Sequence, residues 1–306
     1  METRKRSAVG TFAVLLKRSF SRLKKNDPMR MAGATAFFTC FALPPIIVLL
    51  FQLFSIFFSR QLIGTQLGEI LGATLGEGGA NQLRETARSF RRLADNWWMA
   101  VIGLVFLVFV ATTLFKVIKN TLNDIWNIRL GKASFLYEMK LRGRALIVIV
   151  AAGILFLASA ILDAVRAFAG QYIEKIWKPG AVLVSGAFSQ VAGIIVVTLW
   201  FVVLFRYLAN ARPSWKVAFV GGLVTGVLFT IGKAILSTVM LNSNPGAVYG
   251  AGGAIALILL FVFYSSFILY FGASFIMEYS IQINDPLVPS RRAYRYELQK
   301  IHEEGA

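Results

Sequence analysis

The chain has 306 residues, of which 57% are hydrophobic and 15% are charged, whereas soluble proteins carry about 25% charged residues. Its formal net charge of +17 raises the question of nucleic-acid binding, but no stacking aromatic residues are interleaved with the basic ones, so no nucleic acid is expected as a partner. The apolar surplus excludes an ordinary soluble domain and predicts an integral membrane protein.

Six nearly uncharged stretches are long enough to cross a membrane, because about 20 helical residues span roughly 30 Å of hydrocarbon. These stretches are residues 32–58, 97–115, 145–162, 181–205, 217–241 and 247–277. They predict an all-α polytopic membrane protein with six transmembrane helices plus interfacial amphipathic helices. The predicted division is residues 1–30 as a cytoplasmic basic segment, 31–278 as the six-span domain and 279–306 as a cytoplasmic tail.

The first predicted element is an amphipathic helix over residues 7–25. Its apolar residues share one helical face, and its basic residues lie mostly off that face. The apolar set is Val9, Phe12, Leu16, Phe20 and Leu23. Such a helix lies in the membrane interface with its apolar stripe among the lipid headgroups. Two further short amphipathic helices are predicted in the outer loop, residues 59–96.

The first predicted span contains Pro44 and Pro45 near its middle. Proline has no backbone N–H, so the carbonyls one turn earlier lose their usual donors. In a membrane, such groups need another partner, and interrupted helices often line transport sites. Pro44, Pro45 and the nearby Thr39 are therefore candidates for a transport pathway, with a packing kink as the alternative.

Polar and charged side chains within the spans or at their ends are the other pathway candidates. They are Gln190, Arg206, Lys233, Tyr249 and Glu278. A charge as deep as that of Lys233 is costly in hydrocarbon, which favours a functional role or a side chain that reaches the interface. The alternative for the whole set is hydrogen bonding between helices.

Small residues recur at four-residue spacing in the last two predicted spans. Gly222 and Gly226 lie in the fifth, and Gly246 and Gly250 lie at the start of the sixth. Strips of this kind let two helix backbones approach closely. We predict helix-packing seams within the chain, with a homo-oligomer interface as the open alternative.

The distribution of Lys and Arg orients the chain. If the N-terminus is inside, 23 of the 32 basic residues are cytoplasmic and nine are outside. The positive-inside rule then places both termini in the cytoplasm. Membrane lipids, including the anionic lipids of the inner leaflet, are the expected partners, since each Lys or Arg near that surface is worth about 1 kcal/mol. A short helix is predicted to begin near Ser290 in the tail.

Residues suited to catalysis or metal binding are few. The sequence has one cysteine, Cys40, and one histidine, His302. No predicted span carries two acidic residues, and no glycine-rich phosphate loop precedes a Lys-Ser or Lys-Thr pair. These observations argue against an enzyme, so no catalytic residue, metal ligand or cofactor is assigned.

Several short motifs, taken in order, are similar to those of the YihY/virulence factor BrkB family. They are Lys119-Asn120, Asp124-Ile125-Trp126, Arg212-Pro213-Ser214-Trp215-Lys216, Gly221-Gly222, Tyr249-Gly250 and Tyr270-Phe271-Gly272-Ala273. The resemblance covers residues 28–278 and implies a multi-pass protein of the bacterial inner membrane with six spans. Many members continue the last motif with glutamate, where this chain has Ser274.

The resemblance also implies a set of functional hypotheses. Members of the family were long labelled ribonuclease BN-like, and others are linked to serum resistance or proposed as lipid exporters. Our leading hypothesis is transport of a lipid or amphiphilic solute across the bilayer or between its leaflets. The alternative is a non-transporting scaffold for envelope proteins. A membrane-bound ribonuclease is a third reading, which the absence of catalytic groups disfavours.

Overall fold

A computed structural model describes residues 8–54, 97–131, 178–242 and 253–297, together with isolated residues between 72 and 88 and between 148 and 158. The described chain is helical apart from two small sheets. The helices are α1 (Ala8–Lys25), α2 (Pro28–Phe54), α3 (Trp97–Ile125), α4 (Lys178–Tyr207), α5 (Trp215–Asn242) and α6 (Gly253–Gln282). The strands are β1 (Ile128–Leu130), β2 (Ala211–Arg212), β3 (Val288–Pro289) and β4 (Ala293–Arg295).

The all-α membrane fold is confirmed. Among the described residues, three helical segments are long and apolar enough to cross a membrane, namely Gln190–Tyr207, Trp215–Thr238 and Ile255–Gln282. The count of six spans stays a prediction. The third predicted span and the predicted helices of the outer loop fall largely outside the described residues.

The helix ends follow from local sequence. Pro28 is the first residue of α2, a position where its missing N–H is no loss. Asp27, Asn127 and Asn284 have positive φ angles of 53°, 53° and 52° and lie just beyond α1, α3 and α6. Asp and Asn tolerate this left-handed conformation better than other non-glycine residues, so each ends its helix and turns the chain.

The described helices pack side by side in the order α4, α5, α6, α2 and α3, and α1 lies against α6. The largest fully buried side chains are those of Trp126, Tyr270, Phe205 and Phe275. They gather near the last residues of α3, α4 and α6. We call this end of the bundle the basic end, because most of the basic side chains described below surround it.

Helix α5 is wedged between α4 and α6 through small residues. A Cβ atom added to Gly222 would lie 2.5 Å from Cγ2 of Val202, and one added to Gly226 would lie 2.7 Å from Oγ1 of Thr198. Carbon atoms do not approach this closely without displacement. These two glycines therefore set the distance between α4 and α5. Gly246 and Gly250 lie outside the described residues.

The segment after α6 returns across the basic end and pairs with two earlier loops. We call residues 283–297 the clasp. Its strand β4 pairs antiparallel with β1, and β3 pairs antiparallel with β2. The predicted helix from Ser290 is therefore wrong within the clasp. The backbone groups of Val288 to Arg295 bond to loops far away in sequence, contacts that local helical propensity does not reveal.

One part of the surface of α1 packs against the protein, and another part is exposed. Leu15, Ser19 and Leu23 are buried, and the ring of Phe12 meets that of Phe275 edge-on at 6.0 Å. Phe20 stays 54% exposed. Of the predicted apolar stripe, Leu23 is buried, whereas Phe12 and Phe20 are 46% and 54% exposed, so the placement of this stripe among lipid headgroups stays a prediction.

Candidate functional site

The structure separates the residues predicted to form a transport pathway. Thr39 donates a hydrogen bond to the carbonyl of Thr35 within α2, at 2.7 Å. Gln190 is exposed on α4, and Lys233 is half-buried on α5. The backbone of α2 is helical through Pro44 and Pro45, whose side chains, like all of Tyr249, lie outside the described residues. Of the predicted pathway residues that the structure describes, Arg206 alone lines either of the two cavities presented below.

Glu278 is an anchor for α1 in this structure. Its Oε1 accepts a hydrogen bond from Nε of Arg22 at 2.6 Å, and the two side chains are 14% and 22% exposed, respectively. Hydrogen bonds between ionised partners are stronger than neutral ones, particularly when partly shielded from water. The ion pair therefore holds the end of α1 against the end of α6.

Replacing Glu278 by glutamine should loosen α1. A hydrogen bond to a charged group contributes about 1.5–3 kcal/mol, so α1 should open about tenfold more often. We would follow the opening by maleimide labelling of a Ser19→Cys thiol in a Cys40→Ala background, because Ser19 is fully buried.

The matched control is Asp27→Asn. It removes an exposed ion pair nearby, Arg30 with Asp27 at 3.0 Å, whose side chains are 73% and 61% exposed. This change should leave the labelling rate of the Ser19→Cys thiol unaltered. Equal rates in the Glu278→Gln and Asp27→Asn proteins would show that the Arg22 pair does not hold α1.

A different set of residues forms a cavity at the basic end. The cavity has a volume of about 520 Å³. One face of α3 supplies most of its wall, and the remainder comes from β1 and from the residues after α4. We call it the basic groove; its lining is Phe109, Thr112, Thr113, Phe115, Lys116, Lys119, Asn120, Asn123, Asp124, Ile128, Arg129, Leu130, Leu208 and Asn210.

Helical periodicity explains why these side chains share a surface. Positions 109, 112, 113, 116, 120 and 123 follow the three- and four-residue spacing of one helix face. The face changes in character along its length. Phe109 is 65% exposed, Thr112 and Thr113 follow one turn later, and the last two turns carry amides and charges. The groove is therefore apolar at one end and ionic at the other.

The ionic end of the groove is predominantly positive. Lys116 and Arg129 are exposed, and the guanidinium of Arg129 lies 5.0 Å from the ring centroid of Tyr296 in the clasp. Asp124 is the acidic member. Partial burial raises the pKa of its carboxyl group, an effect that Arg129 and Arg30 oppose. The groove thus offers two signs of charge, with the positive sign in excess.

Asn210 closes the groove from the side of α4. Its backbone N–H donates to Oδ1 of Asn123 at 2.9 Å, and both residues are buried. The side-chain Oδ1 of Asn210 is itself buried without a hydrogen-bond partner in the described part of the chain. A buried acceptor left unpaired is unfavourable.

Buried polar contacts hold the wall of the groove in place. Nε1 of Trp126 donates to the carbonyl of Ala273 at 2.9 Å, which joins the end of α3 to α6. One turn earlier, the hydroxyl groups of Thr35 and Tyr270 are hydrogen-bonded to each other. Two of the motifs that were distant in sequence, Asp124-Ile125-Trp126 and Tyr270-Phe271-Gly272-Ala273, are therefore in direct contact.

The chemistry available in the groove is that of binding. Among the described residues, no group of three or more His, Cys, Asp or Glu side chains is placed to hold a metal ion. The groove presents ammonium, guanidinium, amide and hydroxyl groups beside an exposed aromatic ring. This combination can hold an amphiphile by its polar end.

Sequence reasoning missed the residues of the basic groove because it treated residues 116–144 as a loop. Helix α3 instead continues to Ile125, well past the predicted span. The signal was available: Lys116, Asn120 and Asn123 extend the spacing of Thr112 and Thr113. Polar residues that continue the helical spacing of an apolar run indicate that the helix extends further, with one face exposed to water.

Comparison with known proteins assigns the sequence to a family. The sequence profile of the family described as virulence factor BrkB matches residues 19–297. The chain is 26% identical over 260 residues to a UPF0761 membrane protein of Teredinibacter turnerae, covering 83% of this chain and 57% of the relative. It is 25% identical over 278 residues to one of Saccharophagus degradans, covering 89% and 61%.

A shorter relative is covered almost completely. A UPF0761 membrane protein of Haemophilus influenzae is 25% identical over 269 residues, which is 86% of this chain and 92% of that protein. The chain thus spans about 60% of the length of the first two relatives. No solved structure gave a significant match. Since the profile match runs from α1 through the basic groove to the clasp, the chain belongs to the virulence factor BrkB family of membrane proteins.

Proposed function

We propose that the protein binds the phosphate-bearing headgroup of a lipid, or of a similar anionic amphiphile, in the basic groove and moves it between the leaflets of the membrane. The observation that carries this proposal is the change from apolar to ionic side chains along one face of α3. Ionic residues stand at the basic end, and an exposed aromatic ring stands at the other end of the same cavity.

The charges suit a phosphate group. Lys116, Lys119 and Arg129 outnumber Asp124 in the lining, and ammonium and guanidinium groups are the usual ligands of phosphate oxygens. Asp124 is an acceptor, and it suits the hydroxyl or amine donors that many lipid headgroups carry beside the phosphate.

The dimensions suit an amphiphile. Small-molecule sites typically enclose about 300–1,000 Å³, and the groove encloses about 520 Å³. Phe109 and Asp124 are separated by about 22 Å along the helix axis, at roughly 1.5 Å per residue. A headgroup at Lys116 would leave the first part of an acyl chain beside Phe109.

Thr112 and Thr113 supply polar groups along the path that a moving headgroup would follow. A polar headgroup without hydrogen-bond partners is strongly disfavoured in hydrocarbon. Each of these threonines donates to the carbonyl of Phe109, at 3.0 and 2.8 Å, and a threonine hydroxyl has both donor and acceptor capacity. They extend the polar surface from Lys116 toward the middle of the helix.

A liposome assay tests the proposal. The purified protein would be reconstituted with a trace of fluorescent phospholipid, and dithionite would quench the label in the outer leaflet. We expect quenching to proceed beyond the outer-leaflet half, faster than in protein-free vesicles. Quenching that stops at half for several classes of phospholipid would contradict lipid movement and favour the scaffold alternative.

A further inference from the structure

A second cavity shares no lining residue with the basic groove. It has a volume of about 540 Å³ and occupies the space between the α4–α5 connection and the clasp. Three arginines reach it from three segments: Arg206 from the end of α4, Arg212 from β2 and Arg291 from the clasp. We call it the arginine cleft.

The backbone holds these arginines near one another. Antiparallel pairing places Arg212 opposite Val288. The N–H of Ser290, the residue before Arg291, donates to the carbonyl of Asn210 at 2.8 Å. Two short bridges therefore join the α4–α5 connection to the clasp, and the arginines stand on either side of the seam.

Positive charge in the cleft is not balanced by the protein around it. Asp285 is the acidic residue of the lining, and its carboxylate accepts a hydrogen bond from the hydroxyl of Ser214. Among the described residues, no carboxylate lies within ion-pair distance of Arg212 or Arg291. Three like charges around one cavity repel each other unless an anion joins them.

Arg206 is already oriented. Its guanidinium lies 4.6 Å from the ring centroid of Trp215 and donates to the carbonyl of Pro213. A guanidinium has five N–H donors, so a single carbonyl leaves donors for a ligand. Stacking on Trp215 also restricts the side chain, which reduces the conformational entropy lost on binding.

An apolar surface begins directly beneath the cleft. Trp215 is 52% exposed, and exposed residues continue along α5 at four-residue spacing: Phe219, Leu223, Val227 and Ile231. A surface of this kind on a predicted span faces lipid tails. A molecule with its phosphate beside Arg206 would have its acyl chain along this stripe, an arrangement that a free phosphate ion cannot use.

We propose that the arginine cleft binds the phosphate of an anionic phospholipid from the adjoining leaflet, and that this lipid stabilises the contact between the α4–α5 connection and the clasp. Cationic pockets between membrane helices bind phospholipid headgroups by the same chemistry. The proposal concerns a resident lipid and does not depend on transport through the basic groove.

The test is a titration of delipidated, detergent-purified protein with phosphatidylglycerol, followed by native mass spectrometry and thermal unfolding. We expect the lipid to bind the wild-type protein and raise its melting temperature. Arg212→Gln combined with Arg291→Gln should weaken binding at the cleft at least tenfold and reduce the thermal shift. Both side chains are exposed, so the double variant should fold, which its elution volume and circular dichroism would verify.

Two controls make the result specific. Lys24→Gln combined with Lys25→Gln removes the same charge from an exposed part of α1 and should leave the shift unchanged. Inorganic phosphate giving the full thermal shift would overturn the lipid assignment. Equal binding by wild type and the Arg212/Arg291 double variant would overturn the site.

Discussion

Replacing both Lys116 and Arg129 by glutamine is expected to slow lipid movement in liposomes by about thirtyfold. Each basic residue near an anionic headgroup contributes about 1 kcal/mol, so losing two should weaken the bound state by about 2 kcal/mol, which corresponds to roughly thirtyfold in affinity. Both side chains are exposed in the basic groove, so the loss should appear in transport while the fold is preserved.

The charge-matched control for this experiment is Lys24→Gln combined with Lys25→Gln. It changes the net charge by the same amount but leaves the groove intact, so it separates a local site from a general attraction to anionic membranes. Exchanging the residue types, Lys116→Arg with Arg129→Lys, should retain most of the activity. An equal decrease in the groove variant and in the α1 control would contradict a specific site in the groove.

Gly272→Ala is expected to destabilise the protein by about 1–3 kcal/mol, the usual cost of overfilling a packed interior. A Cβ atom at this position would lie 2.0 Å from Oγ1 and 2.9 Å from Cγ2 of Thr225 on the neighbouring helix α5. Thr225 is fully buried and bonded to the carbonyl of Gly221 at 2.6 Å, so it cannot move aside freely. The measurement is the midpoint of thermal unfolding in detergent.

A second-site change supplies the decisive comparison. Thr225→Ala removes the two atoms that the new methyl group would meet first, so Gly272→Ala should be less harmful in that background. The double-mutant cycle should therefore give a coupling of about 1 kcal/mol or more. Gly193→Ala on α4, where nothing lies within 4 Å of the added atom, should be neutral or slightly stabilising. Strict additivity would rule out the predicted contact.

Sequence patterns predicted the membrane helices well where a single physical rule determines the local structure. Long apolar runs correspond to α4, α5 and α6, because backbone polar groups in hydrocarbon must be bonded within a helix. The start of α2 at Pro28 and the turn at Asp27 are similarly local. These features need no knowledge of what lies beside each helix.

Features that depend on partners distant in sequence were not predictable in the same way. Glu278 was predicted as a charge at the end of a span, and no local pattern indicates its partner Arg22, which is 256 residues away. From sequence alone the clasp is predicted to be a polar tail, because the strands that pair with it lie far away in the chain, near residues 129 and 211. Such contacts depend on the order in which helices pack, and periodicity carries no information about that order.

The small residues of α5 show an intermediate case. Four-residue spacing predicted that helices would approach closely along Gly222 and Gly226, and the structure places Val202 and Thr198 of α4 against them. The pattern did not indicate which helix would be the neighbour. It also did not identify Gly272, whose role becomes apparent once Thr225 is placed opposite to it.

The clasp has a consequence for the order in which the protein matures. Strands β1 and β2 are synthesised early, but their partners β4 and β3 are among the last described residues of the chain. Unpaired strand edges readily join other chains, so the nascent protein carries two such edges until the clasp emerges. A chain truncated after α6 would keep its membrane helices but leave β1 and β2 unpaired. Correct assembly should therefore depend on the clasp.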